Sequence, residues 1–304
     1  MIVIKNVLII GLSLCLLLSC GCSGRKTLEE YDANATAEVR DNRTAKTSPY
    51  TGMELLEKET FKVHDPENTR GLSDKKIEHS YGGAKNGVVH DISAQAQSFF
   101  EQKNFKAFCY DTSGEKVLYL TFDCGWENGY TSKVLDVLEE KDVPAAFFCT
   151  LEHIEAEPEL IGRMINNGHI IGNHSSKHPD FSEISRSRMA NEILTCTNYL
   201  RENYGYSSKF FRFPEGAYSE NALELVGAMG YTSVFWSCSY ADWDAENPKG
   251  KEYAFDKVTS RLHPGAVILL HSVSPDNAAA LSEIIDYARS NGYEFRSLNE
   301  YNAV

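Results

Sequence analysis

The chain has 304 residues, 42% of them hydrophobic and 24% charged, which is a globular composition sufficient for one large domain or two small ones. Its formal net charge of -13 argues against nucleic acid as a partner, because phosphate binding needs clustered Lys and Arg. Neither quantity specifies a fold.

Residues 1–20 read MIVIKNVLIIGLSLCLLLSC, a single Lys5 followed by an apolar run that ends at Ser19-Cys20. The run is too short for a membrane span and reads as an export signal. Leu17-Leu18-Ser19-Cys20 resembles the bacterial lipoprotein cleavage box, with Cys20 as the lipidated residue and Cys22 as a second candidate. A retained signal anchor is the competing reading. Both place the body of the protein outside the cytoplasm, tethered to the membrane at its N-terminus.

Residues 21–50 are polar and charged with little apolar periodicity, and read as a tether. The segment 51–114 is mixed. A short helix is expected at Met53–Glu57 and another from Ile92 to Phe105, with too few apolar residues for a separate core. The segment is therefore expected to pack as an N-terminal extension on a main domain over 115–304.

That domain has a regular pattern. Strand-like apolar runs occur at 117–122, 143–148, 169–172, 209–212, 231–236, 266–270 and 293–296. Helix-like stretches fill 129–141, 157–167, 182–203, 219–229, 251–262 and 277–290, with Ser182 as a start signal and Gly168, Gly230 and Gly292 as stop signals. Alternation with short connections predicts an α/β fold with a parallel sheet. No GxGxxG or P-loop follows the first strand, so a nucleotide-binding open sheet loses ground to a barrel of about seven strands.

Of the eight cysteines, Cys15, Cys20 and Cys22 belong to the signal region, which leaves Cys109, Cys124, Cys149, Cys196 and Cys238 in the body. Their spacing is irregular and contains no CxxC, so no zinc ribbon or disulfide framework is expected. An odd number leaves at least one thiol free or paired with another molecule.

The polar residues just after the predicted strands form an unusual set. Strand one delivers Asp123 and Cys124, with Gly125 permitting a turn. The third is followed by His174 and His178, the fourth by Arg212-Phe213-Pro214-Glu215-Gly216, the fifth by Asp242-Trp243, and the sixth by His271. Barrel chemistry gathers at these C-terminal strand ends. A helix cap is the structural reading of Asp123. The four-residue spacing of His174 and His178 lets both imidazoles reach one metal, and Ser175 stands where a protease HExxH motif would have Glu. Surface histidines without a role are the alternative. Asp123 and His271 suit a general base and a general acid. Arg212 near Asp123 would keep it ionised, and Asp242 near His271 would raise the imidazole pKa. Ordinary buried ion pairs are the competing reading of both contacts.

Thr121-Phe122-Asp123-Cys124-Gly125, His174-Ser175-Ser176-Lys177-His178, Arg212–Gly216, Asp242-Trp243 and Leu269-Leu270-His271 fall in the order of the five motifs of the polysaccharide deacetylase (NodB-homology) family. The resemblance covers about residues 115–300. Trp126–Tyr130, His271–Asn277 and Tyr81–Gly83 are similar to the subgroup that forms muramic δ-lactam in spore cortex peptidoglycan. The resemblance implies a distorted (β/α) barrel. It implies Asp123 as base and His271 as acid, with Arg212 orienting Asp123 and Asp242 tuning His271. His174 and His178 would bind a divalent metal, usually zinc. The Glu215 backbone N–H would hold the oxyanion, and Trp243 and Leu269 would line the acetyl pocket.

Cys124 departs from the pattern, since most members carry a metal-binding Asp there and the subgroup commonly Asn. Three readings stand: a thiolate third metal ligand, an inert thiol, or a disulfide partner of Cys149 or Cys238. The implied function is metal-dependent de-N-acetylation of N-acetylmuramic acid in peptidoglycan glycan strands by a monomeric, membrane-anchored lipoprotein. The alternatives are deacetylation of N-acetylglucosamine or another glycan, and a non-catalytic wall-binding lipoprotein.

Overall fold

A computed structural model describes residues 46–301, all of which fall in one compact unit. The signal segment, Cys20, Cys22 and the tether up to residue 45 lie outside the described residues.

The strands are β1 (Ile77–Glu78), β2 (Ala107–Phe108), β3 (Val117–Cys124), β4 (Ala145–Cys149), β5 (Ile170–Asn173), β6 (Phe210–Phe211), β7 (Ala217–Tyr218), β8 (Thr232–Val234), β9 (Ala266–His271) and β10 (Glu294–Phe295). The helices are α1 (Asp91–Gln102), α2 (Thr131–Lys141), α3 (Leu151–Ala156), α4 (Pro158–Asn166), α5 (Arg186–Tyr204), α6 (Glu220–Ala228), α7 (Lys251–Thr259) and α8 (Pro275–Ser290).

The main sheet has eight strands in the order β10-β3-β4-β5-β6-β8-β2, with β9 also paired to β3, and every pairing in it is parallel. Beyond β8 the chain bridges back to β9 through Cys238 and Ile268, where Leu269 N–H donates to the Cys238 carbonyl at 2.9 Å. The sheet therefore curls back on itself as a distorted (β/α) barrel, as the alternating pattern predicts.

The alternation of β3 sets up the site. Leu118, Leu120, Phe122 and Cys124 join a cluster with Val134, Leu135, Leu138 and Ile284 of the outer helices. Val117 and Tyr119 pack instead with Ala146, Phe148, Val234, Trp236, Val267 and Leu269. Period-two geometry then places Thr121 and Asp123 on the second face, away from the helices. Four of the helices, α3, α5, α6 and α8, start on a hydroxyl cap. The hydroxyls of Thr150, Ser185, Ser219 and Ser274 accept from the backbone N–H of His153, Arg188, Ala222 and Asn277.

Several expectations are corrected. Met53–Glu57 is not helical. Its five residues are too few to offset helix nucleation, and the backbone bonds outward instead, with Leu56 N–H donating to Arg201 O at 2.9 Å. Ser182 does not cap α5, because its hydroxyl turns back to Asp180 Oδ1 at 2.6 Å, and Ser185 serves instead. The helix expected over Ile92–Phe105 spans Asp91–Gln102, and α8 begins at Pro275, a residue whose fixed φ suits the first helical position. The short helix α3 was not predicted. From the 51–114 segment, β2 enters the main sheet beside β8, and β1 pairs antiparallel with β7.

Candidate active site

The strand ends meet in a cleft. One chamber, of about 480 Å³, is lined by Tyr81, Asp123, His174, His178, Glu215, Trp236, Trp243, Leu269 and His271, and an adjoining one adds Trp126, Lys177 and Val273.

At its floor Arg212 is fully buried and spends its guanidinium on three partners. Nη1 donates to Asp123 Oδ1 at 2.7 Å, Nη2 to Thr121 Oγ1 at 2.9 Å, and Nε to the Val234 carbonyl at 2.9 Å. The ring of Phe148 lies 4.1 Å from the guanidinium carbon. Burial pushes Asp123 towards its neutral form, but Arg212, His174 and His271 outweigh it and hold the carboxyl below its ordinary pKa. Asp123 is a carboxylate at neutral pH.

On the opposite side, Asp242 clamps His271 with both oxygens. Oδ1 accepts from the ring Nδ1 at 2.7 Å and Oδ2 from the His271 backbone N–H at 2.8 Å. Burial disfavours the imidazolium, yet Asp242 and then Asp123 more than compensate, so the pKa of His271 is raised. With Nδ1 engaged, Nε2 is the nitrogen left to face substrate.

His174 follows β5. Its Nδ1 is 2.8 Å from the Arg212 carbonyl, which can only accept, so Nδ1 carries the proton. Burial depresses its pKa to about 4, leaving the ring neutral. Nε2 then presents a lone pair 3.7 Å from Asp123 Oδ2, two acceptors facing each other. The ring of His178 lies 4.9 Å away, centre to centre. Ser175 and His178 both hold positive φ, 69° and 53°, which is how a tight loop brings both imidazoles to one place.

Glu215 has φ 57° and ψ 3° within the Pro214–Gly216 turn, an unfavourable conformation for a side-chain-bearing residue, and lines the inner chamber beside buried Leu269. Trp243 stands 62% exposed at the mouth, and Trp126 is 52% exposed.

Cys124 does not join the histidine pair. It is the next residue after Asp123 along an extended strand, so its side chain leaves on the helix-facing side, where Sγ lies 3.3 Å from Ser272 Oγ. Its metal-ligating neighbours there are Cys149 and His153, with all three ligand atoms within 4.8 Å of one another. Nor is it in a disulfide: all five described cysteines are free and buried.

Sequence reasoning missed three contributors. Thr121 braces Arg212 and donates its own hydroxyl to the Ile268 carbonyl at 2.7 Å. Phe148 supplies the aromatic face against Arg212. Asn277 donates to Asp242 Oδ2 at 2.5 Å and to the His271 carbonyl at 3.1 Å, while accepting from the Tyr240 hydroxyl. Asn277 sits six residues after His271 at the start of α8, an offset visible in the chain but without meaning until the helix start is known.

The family model described as polysaccharide deacetylase matches residues 110–234. A peptidoglycan-N-acetylmuramic acid deacetylase of Bacillus subtilis is 41% identical over 222 residues, covering 72% of this chain and 84% of that protein. The chain belongs to the polysaccharide deacetylase family. The solved structure of Bacillus subtilis PdaA, described as a family 4 carbohydrate esterase, aligns with this deacetylase at a TM-score of 0.72 and 38% identity, covering 76% of this chain and 98% of that one. A peptidoglycan-N-acetylglucosamine deacetylase of Bacillus cereus is 33% identical over 187 residues, covering 59% of this chain and 66% of that protein.

Members of this family generally use a divalent metal. The histidine pair of this deacetylase fits one. A neutral imidazole with its lone pair aimed at a carboxylate is an arrangement that a cation between them would stabilise, and the Arg212 carbonyl fixes the tautomer that makes it so.

Proposed function

We propose that this deacetylase hydrolyses the N-acetyl group of N-acetylmuramic acid in peptidoglycan, preparing the free amine from which muramic δ-lactam of spore cortex forms. The reading is carried by the opposed pair at the cleft floor, a carboxylate kept ionised by Arg212 and an imidazole whose protonated form Asp242 favours. The substrate is supported by the 41% identity to a relative described as a muramic acid deacetylase. It is also supported by two exposed tryptophans at the cleft, Trp126 and Trp243, whose flat apolar faces suit sugar rings.

Asp123 takes a proton from the attacking water as a C–O bond forms at the acetyl carbonyl carbon. The backbone N–H of Glu215 donates to the oxyanion that develops. His271 then delivers its proton to the leaving nitrogen as the C–N bond breaks, giving acetate and an amine. A divalent ion, zinc in this proposal, would be held by His174 and His178 and would polarise the acetyl carbonyl as a Lewis acid. Arg212 keeps Asp123 ionised and aligned throughout, and Leu269 offers an apolar wall to the methyl group.

The enzyme is proposed to work outside the cytoplasm, lipid-anchored at Cys20 beyond a tether. That placement is supported by the composition of residues 1–20. The test of the substrate is mass spectrometry of muropeptides after treatment of acetylated glycan strands with and without stem peptides. Loss of one acetyl group confined to muramic acid is the expected product. Loss confined to glucosamine would replace this reading with the N-acetylglucosamine one, and an unchanged glycan with the non-catalytic one.

A further inference from the structure

We propose that Cys124, Cys149 and His153 form a second metal site, a buried one for zinc or a similar thiophilic ion, on the helix-facing side of the sheet. The proposal does not depend on the substrate or on the metal chemistry of the cleft.

The ligands are brought together by register. Cys124 and Cys149 are paired positions at the ends of the parallel neighbours β3 and β4, and both side chains enter the same outer cluster. Four residues past Cys149, the cap at Thr150 starts α3 and places His153 in its first turn. The two sulfurs and an imidazole nitrogen all lie within 4.8 Å of one another. A tetrahedral zinc with bonds near 2.3 Å holds its ligand atoms about 3.7 Å apart, so small side-chain rotations close the site.

His153 supplies the independent sign that something belongs there. It is 1% exposed, yet neither ring nitrogen has a hydrogen-bond partner. Buried imidazoles are almost always satisfied, and one that is not calls for an ion or water in its place. Glu127 Oε2 is also buried without a partner, while Oε1 is engaged by Gly129 and Thr131 N–H groups. Glu127 is close enough to His153 to act on it electrostatically. Two thiolates and an imidazole make a three-ligand set of the kind zinc takes, and thiolates select soft ions over magnesium or calcium. Binding releases both thiol protons to solvent, so two sulfur anions and a dication balance in the site. Its consequence would be mechanical: the ion would tie the end of the strand that carries Asp123 to β4 and α3.

The test uses the full chain loaded with zinc or with cobalt as a visible stand-in, in wild type and in the variants His174→Ala, Cys149→Ser and His153→Gln. The expected result is two metal equivalents in wild type, and one in H174A that keeps the thiolate-to-cobalt charge-transfer band. C149S and H153Q should lose that band while keeping one equivalent. Should those variants fail to fold, zinc X-ray absorption of wild type reads the site directly, with an expected average of one sulfur per zinc. Absence of sulfur ligation would overturn the proposal. So would a cobalt–thiolate band lost in H174A but kept in H153Q, which would place Cys124 at the cleft metal. A Cys124–Cys149 disulfide in the purified protein would overturn it as well.

Discussion

Asp123 and Cys124 are consecutive in β3 and serve opposite sides of the sheet. The carboxylate of Asp123 meets Arg212 at 2.7 Å in the cleft, while the thiol of Cys124 enters the outer helix layer beside Cys149. One strand thus carries the proposed base on one face and a proposed soft-metal ligand on the other, and the two chemistries can be separated by mutation.

Arg212→Gln should damage both activity and stability. Asp123 must be ionised to act as a base, so activity falls as pH drops through its pKa. Losing Arg212 raises that pKa, and the acidic limb of the kcat/KM profile should move to higher pH. Removing one partner of a buried pair leaves an uncompensated charge, an expected loss of about 3–5 kcal/mol in denaturant unfolding.

The sequence carried most of what positions this site, because the alternation of strand and helix is strong and the site residues sit immediately after the strands. Asp123, His174, Arg212, Asp242 and His271 could be placed from that alone. The side taken by Cys124 was legible in principle from the two-residue period of β3. It was obscured because strand end and loop start are indistinguishable where Cys124 meets Gly125. The bracing by Thr121, Phe148 and Asn277 was not legible, since each acts across elements far apart in the chain: Asn277 reaches Asp242 over 35 residues. Met53–Glu57 misled because a local helical pattern was overridden by backbone bonds to α5.

Asp242→Asn tests the acid half. In the proposed mechanism His271 acts while protonated, so activity should fall as pH rises through its pKa. Without the Asp242 charge that pKa drops, and the alkaline limb should move to lower pH, with kcat reduced by about 100-fold or more. Asn277→Ala should move the same limb in the same direction by less, because Asp242 keeps its charge and loses only its anchor.

Trp243→Ala should separate binding from chemistry. The indole is exposed and distant from the core, so thermal stability should change little, while KM rises by about 2- to 10-fold with kcat nearly kept.

Acid should destabilise the fold through neutral, desolvated histidines away from His174 and His178. Burial lowers the pKa of both His79 and His169 to about 4. Between the ordinary histidine value near 6.5 and about 4, the unfolded chain binds protons that the folded one refuses. Stability should therefore fall as pH drops through that window, read as a declining Tm. His169→Gln should flatten part of the decline.

We propose Asp123 as the base that drives deacetylation. It is tested most directly by acetate release from peptidoglycan glycan strands, comparing wild type with Asp123→Asn at equal metal content and confirmed folding. Wild type should release acetate steadily, and the variant should lose about 100-fold or more of that rate, the scale of a general base removed. Release by Asp123→Asn at the wild-type rate would contradict it.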